Sequence, residues 1–158
     1  MTQLMSDEER QRKIDFLCGY RNAWLRERAI ESDIAMLRMQ RMNISGISMY
    51  GAPRGSQQGD LSGYAAAVDE LLREWEDEAK KKLTVRREIW TAITRMDNIA
   101  HQNVLAFRYL ALVQTPEEKA NRQQGTRLRR YEDIAKRMSY SVQRVKQLHS
   151  EALAALNV

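Results

Sequence analysis

The sequence predicts an all-α fold, in which a long N-terminal helical hairpin or coiled coil is followed by a C-terminal helix-turn-helix domain. The first observation is that the 158 residues include only two Pro and seven Gly, and four of the Gly lie between residues 46 and 59. Long uninterrupted helices are therefore favoured over a β-rich fold. The second observation is a heptad repeat in the middle of the chain. The third is a twenty-residue pattern of small, apolar and capping residues near its end.

The first predicted helix covers residues 6 to 42. Ser6 can cap it, and the acids of the following "DEE" favour the positive end of the helix dipole. Apolar residues then recur every three or four positions among many charges, which is typical of an amphipathic helix. These residues are Phe16, Leu17, Tyr20, Trp24, Ile30, Ile34 and Leu37.

Residues 43 to 60 predict a flexible loop, because they hold the Gly cluster, one Pro and several Ser, Asn and Gln. From Leu61 to Met96 the pattern is a heptad whose seam is apolar except at Glu78 and Lys82. Such a seam needs a partner helix. The first helix of the same chain and a second copy of the chain are both candidates. An internal hairpin and a homodimer through the N-terminal helices therefore remain alternatives.

Two shorter helices are predicted before the helix-turn-helix pattern. Asp97-Asn98 can cap a helix over residues 99–112. The segment "TPEEKANRQQG" has a Thr cap, Pro at the first helical position and Glu three residues after the cap. This indicates a short inserted helix near residues 116–124. The predicted domains are residues 1–96, the hairpin or coiled coil, and residues 97–158, the helix-turn-helix domain.

Residues 131 to 153, "YEDIAKRMSYSVQRVKQLHSEAL", carry the helix-turn-helix pattern. Ala135 takes the small-residue place where the two helices touch, and Ser141 takes the N-cap place of the second helix. Ser139 takes the turn position that is often Gly, where a non-Gly residue at positive φ costs about 1 kcal/mol. The apolar places are Ile134, Met138, Tyr140, Val145 and Leu148.

Positive charge is concentrated in the same part of the chain. Of the net charge of +5, a balance of +4 falls in residues 127–158, where seven Lys and Arg stand against three acids. A localised basic surface fits an anionic polymer, because each cation that meets a phosphate releases counterions. Charge alone fits a solvated helix surface equally well. The helix-turn-helix pattern together with the charge favours DNA binding over an amphipathic helical pair that only packs on the rest of the protein.

The second helix of the motif is predicted to read base edges in the major groove. Its outward-facing polar residues are Gln143, Arg144, Lys146 and Gln147. Basic residues beside them are predicted to contact phosphates and so to fix the position of the protein on the duplex. These residues are Arg127, Arg129, Arg130, Lys136 and Arg137.

The sequence carries no indication of an enzyme, a cofactor or a metal site. It has no phosphate-binding loop, dinucleotide-binding motif or nucleophile elbow. His101 and His149 have no Cys or acid at ligand spacing, so both are predicted to have surface or half-buried structural roles. The three tryptophans lie at helical spacing and are predicted to pack in the seam and core: Trp24, Trp75 and Trp90.

The location predicted from the sequence is the cytoplasm, without membrane association. Cys18 is the single cysteine, which suits a reducing compartment, and it is predicted to be a buried thiol. The N-terminal segment lacks the apolar core of a signal peptide, and no stretch approaches the ~18 apolar residues of a membrane helix.

Two segments resemble a known family: "NVLAFRYL" at residues 103–110 and "YEDIAKRMSYSVQRVKQLHSEALAAL" at residues 131–156. They resemble region four of bacterial sigma factors, in which a helix ending in a "VL-x-x-RY"-like pattern precedes a helix-turn-helix. The whole-chain layout is similar to small phage and prophage proteins grouped with the ArpU and RinA late-transcription regulators. The resemblance implies a phage-type transcription regulator in the host cytoplasm, with RNA polymerase as a candidate partner.

The resemblance also assigns roles to individual residues of the second helix. Ser141 matches the cap of the recognition helix, and Arg144 is basic as in the family. The positions that face bases or phosphates in the family are matched by Val142, Gln143, Lys146 and Gln147.

The chain departs from the family in two places. Val142 and Gln143 stand where promoter-reading sigma factors tend to carry Arg and then Glu, so the resemblance does not extend to reading a standard promoter element. The segment between Tyr109 and Tyr131 is longer than the family's short link and includes the predicted inserted helix.

The function predicted from the sequence is a sequence-specific transcription regulator that binds double-stranded DNA. One alternative is a small terminase-like DNA-packaging subunit, which likewise joins a helix-turn-helix to oligomerising helices. The other is a helical adaptor that binds only protein.

Overall fold

The computed structural model describes residues 4–48 and 57–158. Within these ranges the secondary structure consists of helices and one isolated β-bridge, with no strand, so the all-α prediction is confirmed. The helices in chain order are α1 (Asp7–Leu17), α2 (Gly19–Ser48), α3 (Gln57–Thr94), α4 (Ile99–Tyr109), α5 (Pro116–Ala120), α6 (Tyr131–Met138) and α7 (Val142–Ala155).

The described residues divide into two compact units. The first unit comprises residues 4–24 and 82–158, so it holds α1, the first turns of α2, the end of α3 and all of α4–α7. The second unit is Leu25–Lys81, which is the rest of α2 and α3. This division differs from the predicted one between residues 96 and 97. The reason is that apolar residues of α1 and α3 share a core with α4 and α7.

That core is one apolar cluster in the first unit. Leu17 of α1 and Ile89 and Ile93 of α3 are fully buried in it. Full burial of such a side chain contributes about 1.5–3 kcal/mol, so the ends of α1 and α3 are held firmly by the C-terminal helices. The other buried members are Met96, Leu105, Tyr109, Leu110, Ala152, Leu153 and Leu156.

A buried lysine adds a polar contact between α1 and α7. Lys13 is only 5% exposed, and its Nζ donates to the carbonyl oxygen of Leu153 at 2.9 Å. The Glu9 carboxylate lies 3.4 Å from the same Nζ. Carbonyls in the last turn of a helix have no partner within the helix, and Lys13 supplies one.

The first predicted helix is interrupted at Cys18, so residues 6 to 42 are not one helix. Ser6 caps α1 as predicted, accepting the Glu9 N–H at 3.1 Å. The interruption is one residue wide, since Cys18 still donates to the Ile14 carbonyl at 2.8 Å. Gly19 follows, and a Cβ there would lie 3.0 Å from Cγ1 of Val85. The absence of a side chain at Gly19 thus allows α2 and α3 to approach closely in the first unit.

In the first unit α2 and α3 also meet through cations on aromatic rings. The Nζ of Lys82, a polar seam position that is 8% exposed, lies 3.3 Å from the centroid of the Trp24 ring. The Arg86 guanidinium lies 5.6 Å from the Tyr20 ring centroid. A desolvated ammonium over Trp stabilises by about 2 kcal/mol, which explains how a lysine is tolerated in the seam.

In the second unit α2 and α3 pair in antiparallel fashion. Arg26 lies 3.2 Å from the Glu78 carboxylate, and Trp75 Nε1 donates to Glu31 Oε1 at 3.0 Å. Further along, the Arg41 guanidinium lies 4.7 Å from the centroid of the Tyr64 ring. Residue numbers rise along α2 from Arg26 to Arg41, whereas those of their contact partners on α3 fall from Glu78 to Tyr64. In this unit the seam of α3 therefore packs against α2 of the same chain, which is part of the helix predicted from residue 6 onward.

Helical structure extends into both ends of the segment 43 to 60, which was predicted to be a loop. α2 continues through Ser48 and α3 begins at Gln57, because Gly46 and Gly59 are isolated glycines that a helix tolerates at a cost of ~1 kcal/mol each. The remainder of the predicted loop, residues 49–56, lies outside the described residues.

The tryptophans follow the prediction only in part. Trp24 and Trp75 are half-buried between α2 and α3, whereas Trp90 is 47% exposed on the outer face of α3. Trp90 is one residue past the buried Ile89, which occupies the heptad position there, so Trp90 falls on a different face of α3.

Within residues 4–48 and 57–158, every helix falls short of the combined length and apolarity that a membrane span requires.

Candidate nucleic-acid interface

Helices α6 and α7 occupy the span in which the helix-turn-helix was predicted, and three residues connect them. Ser139 has φ 59° and ψ 38°, the left-handed conformation expected at the turn. Ser141 caps α7, and its hydroxyl accepts the Arg144 N–H at 3.1 Å. The cap and the turn predicted from single residues are confirmed.

The two helices touch through a small apolar cluster. Ile134, Ala135 and Val145 are buried together, as predicted, and Met138 packs against them. Leu148 is also buried, at 2% exposure. Tyr140 is the exception: it is 45% exposed, so its predicted place on the apolar face is wrong. It lies between Ser139 and Ser141 in the turn, outside both helices, where helical periodicity does not apply.

The polar face of α7 is open. Gln143, Arg144, Lys146 and Gln147 are all exposed, while Val145 and Leu148 on the opposite side are buried. Val142, which the family resemblance placed among the base- or phosphate-facing positions, is half-buried against the α6–α7 cluster. One part of the Val142 side chain therefore packs against this cluster, and the other part is exposed to solvent.

The polar face carries its own contacts. Arg144 Nη1 donates to Gln147 Oε1 at 3.0 Å and lies 3.7 Å from the Glu151 carboxylate. The other oxygen of Glu151 lies 3.1 Å from His101 Nε2. Exposed ion pairs of this kind contribute roughly 0–1 kcal/mol, so a stronger anion can displace Glu151 from Arg144 at small cost. The sequence did not predict this contact, although Glu151 lies two helical turns after Arg144 on the same helix.

The five flanking cations fall into two groups. Arg130, Lys136 and Arg137 are exposed, and the Arg137 guanidinium stacks 5.1 Å from the centroid of the Phe107 ring. Arg127 and Arg129 are half-buried. Arg127 pairs by its backbone with Val113, and Arg129 Nε donates to the Ala111 carbonyl at 3.3 Å. The side chains of Arg127 and Arg129 are therefore less exposed to solvent than those of the other three flanking cations.

Arg108, which the sequence did not single out, connects the elements behind this surface. Its Nη1 donates to the Arg129 carbonyl at 2.9 Å, and its guanidinium lies 4.2 Å from the centroid of the Tyr131 ring. It thereby ties α4 to the segment that leads into α6. The signal was available in "NVLAFRYL", where Arg108 is the one charged residue of an otherwise mostly apolar helix end.

A buried histidine lies between α4, α6 and α7. His149 is 2% exposed, so its predicted surface or half-buried role is wrong. The Tyr109 hydroxyl lies 2.8 Å from its Nε2 and the Tyr131 hydroxyl 3.4 Å from its Nδ1. A neutral imidazole donates from one nitrogen and accepts at the other, so the two hydroxyls can satisfy both.

Burial sets the protonation of this group. Burial, together with the smaller effects of the Arg108 and Arg10 charges, lowers the pKa of His149 to about 4. Burial also raises the pKa of Tyr109 to about 12, against the opposing charge of Arg108. Both side chains are therefore neutral at pH 7, and they hold α7 against α4 and α6 without a buried charge.

Cysteine, histidine and carboxylate side chains do not gather into a metal site within the described ranges, where no group of three or more could hold an ion. Cys18 is half-buried rather than fully buried. Burial raises the pKa of its thiol, against the charges of Arg21 and Arg108. A thiol that stays protonated is a poor nucleophile, which fits a packing role.

No protein-family model, curated protein or solved structure matches this chain. The resemblance to sigma region four and to phage late-transcription regulators therefore stays a prediction that the quoted residues alone support.

Proposed function

We propose that the chain is a sequence-specific regulator of transcription that binds double-stranded DNA. In this proposal α6 and α7 act as a helix-turn-helix, and α7 enters the major groove with Gln143, Arg144, Lys146 and Gln147 toward the bases. The phage-type context and a contact with RNA polymerase belong to the same proposal and rest on the resemblance in sequence.

The observation that carries the proposal is the two-sidedness of α7. Its buried side is anchored by Val145, Leu148 and His149, while its other side exposes amides and cations together. Gln pairs with adenine edges and Arg or Lys with guanine edges in the major groove, and a helix is the element that fits this groove. An anchored helix with such a face is pre-arranged for base reading.

The exposed cations near α7 supply the second part of the interface. Arg130 at the start of α6 and Lys136 and Arg137 in its last turn are exposed. Contacts to phosphates fix the register of a protein on the duplex but carry little sequence information. The two groups of residues therefore predict different mutant behaviour.

The first test is binding to a random-sequence duplex over a range of salt concentrations, followed by selection of bound duplexes from a random pool. We expect binding that weakens as salt rises, with a log–log slope of roughly several units, because several phosphates are neutralised. A selected palindrome would indicate a symmetric dimer. No binding even at low salt would contradict the proposal and favour the protein-binding adaptor.

A matched pair of variants then separates reading from positioning. Gln143→Ala is expected to lose discrimination at one base pair, on the order of 1–3 kcal/mol, with little change on random DNA. Lys136→Ala is expected to weaken binding to all sequences about equally. If Gln143→Ala weakened selected and random duplexes alike, the assignment of the reading face would be wrong.

A protein partner is the second candidate function, and one observation favours it. In the second unit Met36, Met39 and Met42 are 56%, 63% and 74% exposed on α2. Exposed flexible methionines are typical of adaptable protein-binding surfaces. The mass of the chain in solution separates the remaining alternatives, since a ring of many copies would favour the packaging subunit and a dimer the regulator.

A further inference from the structure

The segment between α4 and α6, residues 110–130, is a folded insertion. Val113 and Arg127 exchange two backbone hydrogen bonds, of 2.8 and 3.0 Å, which close its base. Thr115 and Glu118 form a reciprocal capping box at the start of α5. The chain of this insertion is therefore held at both its base and its tip.

Glu118 is the centre of that tip. It is 4% exposed, and its Oε1 accepts the N–H groups of Thr115 and Thr126 at 2.9 and 3.2 Å. Its Oε2 accepts the Thr126 hydroxyl at 2.7 Å. A buried carboxylate with several donors resists rearrangement, because any change leaves a charge without partners.

The sides of the insertion are equally constrained. A Cβ on Gly125 would lie 2.4 Å from the Val113 carbonyl carbon, so the two backbone segments are in direct contact there. Arg21 Nε donates to the Thr126 carbonyl at 2.9 Å, which ties the insertion to the first turns of α2. Loops of this length are usually less ordered. Because these contacts already hold the insertion in one conformation, a ligand can bind it without a large loss of conformational entropy.

A groove of about 530 Å³ opens on this insertion. Its charged lining residues are Arg122 and Arg129, and Gln114, Gln123 and Gln124 supply amides; no acidic side chain lines it. The lining thus has a formal charge of +2 and several N–H donors. A phosphodiester backbone, which offers anionic acceptors at regular spacing, is the ligand that this chemistry fits.

Arg122 occupies an unusual backbone conformation at the rim of this groove. Its φ is 53°, in the left-handed region, and its side chain is exposed. A non-Gly residue there costs roughly 1–3 kcal/mol and persists only where its surroundings hold it. The Arg122 N–H donates to the Lys119 carbonyl at 3.3 Å and the Gln123 N–H to the Glu118 carbonyl at 2.9 Å. These bonds form the usual left-handed termination of a helix, so the backbone of Arg122 is held at the end of α5.

The groove lies beside the proposed DNA interface along the chain, because Arg129 of its lining is followed directly by Arg130, the residue before α6. Arg129 lines the groove and also belongs to the cations predicted to contact phosphates. It lies two residues before α6, whose eight residues span about 12 Å at ~1.5 Å per residue. Phosphates of one strand follow one another at ~3.4 Å along a duplex, so this length corresponds to about four base pairs and one duplex is long enough to meet both ends of α6.

We propose that the inserted segment forms a second DNA contact, in which Arg122 and Arg129 bind the phosphate backbone beside the base pairs read by α7. This inference rests on the proposed function and extends it, since the insertion lengthens the footprint on the duplex. It also gives a role to the part of the chain that departs most from the sigma-factor pattern.

The test compares Arg122→Gln with Lys119→Gln on a random-sequence duplex across a salt series. Lys119 is also exposed on the insertion but does not line the groove, so it is a control with the same change of charge. Arg122→Gln is expected to weaken binding several-fold and to make the log–log salt slope shallower by about one. Lys119→Gln is expected to retain the wild-type affinity and slope. Thermal unfolding of both variants checks that they fold alike.

The outcomes separate this inference from the proposed function. If the wild-type chain binds the duplex and Arg122→Gln leaves affinity and slope unchanged, the second contact is overturned while the α7 interface stands. Equal weakening by both variants overturns it too, because it indicates a diffuse charge effect instead of a groove. If the wild-type chain does not bind DNA at all, the proposed function fails and the inference fails with it.

Discussion

The two units of the chain are built from the same kind of element but are stabilised in different ways. In the first unit large apolar side chains from α1, α3, α4 and α7 are almost completely buried. In the described part of the second unit, the buried residues are Glu27 and Ile34, at 4% and 7% exposure. There the contacts between α2 and α3 include an ion pair, a Trp–Glu hydrogen bond and a cation on a ring.

This difference shows which unit can hold a precise surface. Apolar burial supplies most of the free energy of folding, whereas exposed polar pairs contribute little. The first unit can therefore fix α7 in one orientation, which the proposed base reading would require. The second unit presents long helices with exposed apolar residues, which suits a surface that adapts to a protein partner.

The largest expected effect tests where the stability lies. Leu105→Ala removes a fully buried side chain of α4 and is expected to lower the free energy of unfolding by about 2–5 kcal/mol. Ile34→Ala, in the second unit, is expected to cost clearly less, because Ile34 belongs to neither of the two apolar clusters of the described residues, whereas Leu105 lies in the larger one. Urea unfolding followed by circular dichroism measures both. Equal losses would show that the second unit has a tighter core than its burial indicates.

The next effect concerns pH and is confined to the first unit. Burial lowers the pKa of His149 to about 4 from an ordinary value of 6.5. The unfolded chain therefore binds a proton more readily between these values. The contribution of the neutral His149 to the free energy of unfolding is fully present above pH 6.5. As pH falls toward 4, the free energy of unfolding decreases by on the order of 3 kcal/mol.

The control for this pH effect is His149→Gln, which can still bond the two tyrosine hydroxyls but does not titrate. The difference in unfolding free energy between the wild-type chain and the variant should shrink or reverse as pH falls from 7 to 4.5. A difference that stays constant across this range would contradict a histidine that is buried and neutral.

The smallest effect sharpens the comparison from the side of the second unit. A double-mutant cycle of Arg26→Ala and Glu78→Ala is expected to give a coupling free energy of about 0.2–1 kcal/mol, since the Arg26 side chain is largely solvated. Raising the salt concentration should reduce it further. A coupling well above 1 kcal/mol would show that this ion pair, and not only packing, holds the helical pair together.

The features that the sequence predicted correctly depend on a few adjacent residues. Ser6, Asn98, Thr115 and Ser141 each cap the helix that they were expected to cap. The boundaries at the far ends were less accurate: α4 ends at Tyr109 instead of near residue 112, and α5 ends at Ala120 instead of near residue 124. Helix starts carry specific side-chain signals, whereas these two ends depend on where the chain turns back on the fold.

The candidate site divides in the same way. The exposed polar face of α7 follows from the spacing of Val145 and Leu148, so the outward positions of Gln143, Arg144, Lys146 and Gln147 could be predicted. The engagement of Arg144 by Glu151, and the groove that Arg122 and Arg129 share, could not. Each brings together side chains whose separation depends on rotamers or on the path of the insertion.

By itself, the sequence determined that this protein is helical, where most of its helices begin, and which face of α7 is polar. Periodicity and capping are sufficient for that, because they act over one or two helical turns. Only the tertiary structure decided that α1 and the end of α3 share a core with α7, that His149 is buried and that Trp90 and Tyr140 are exposed. Those outcomes depend on which apolar surfaces from distant parts of the chain fit together. The spacing of residues within one helix does not identify the helix that packs against it.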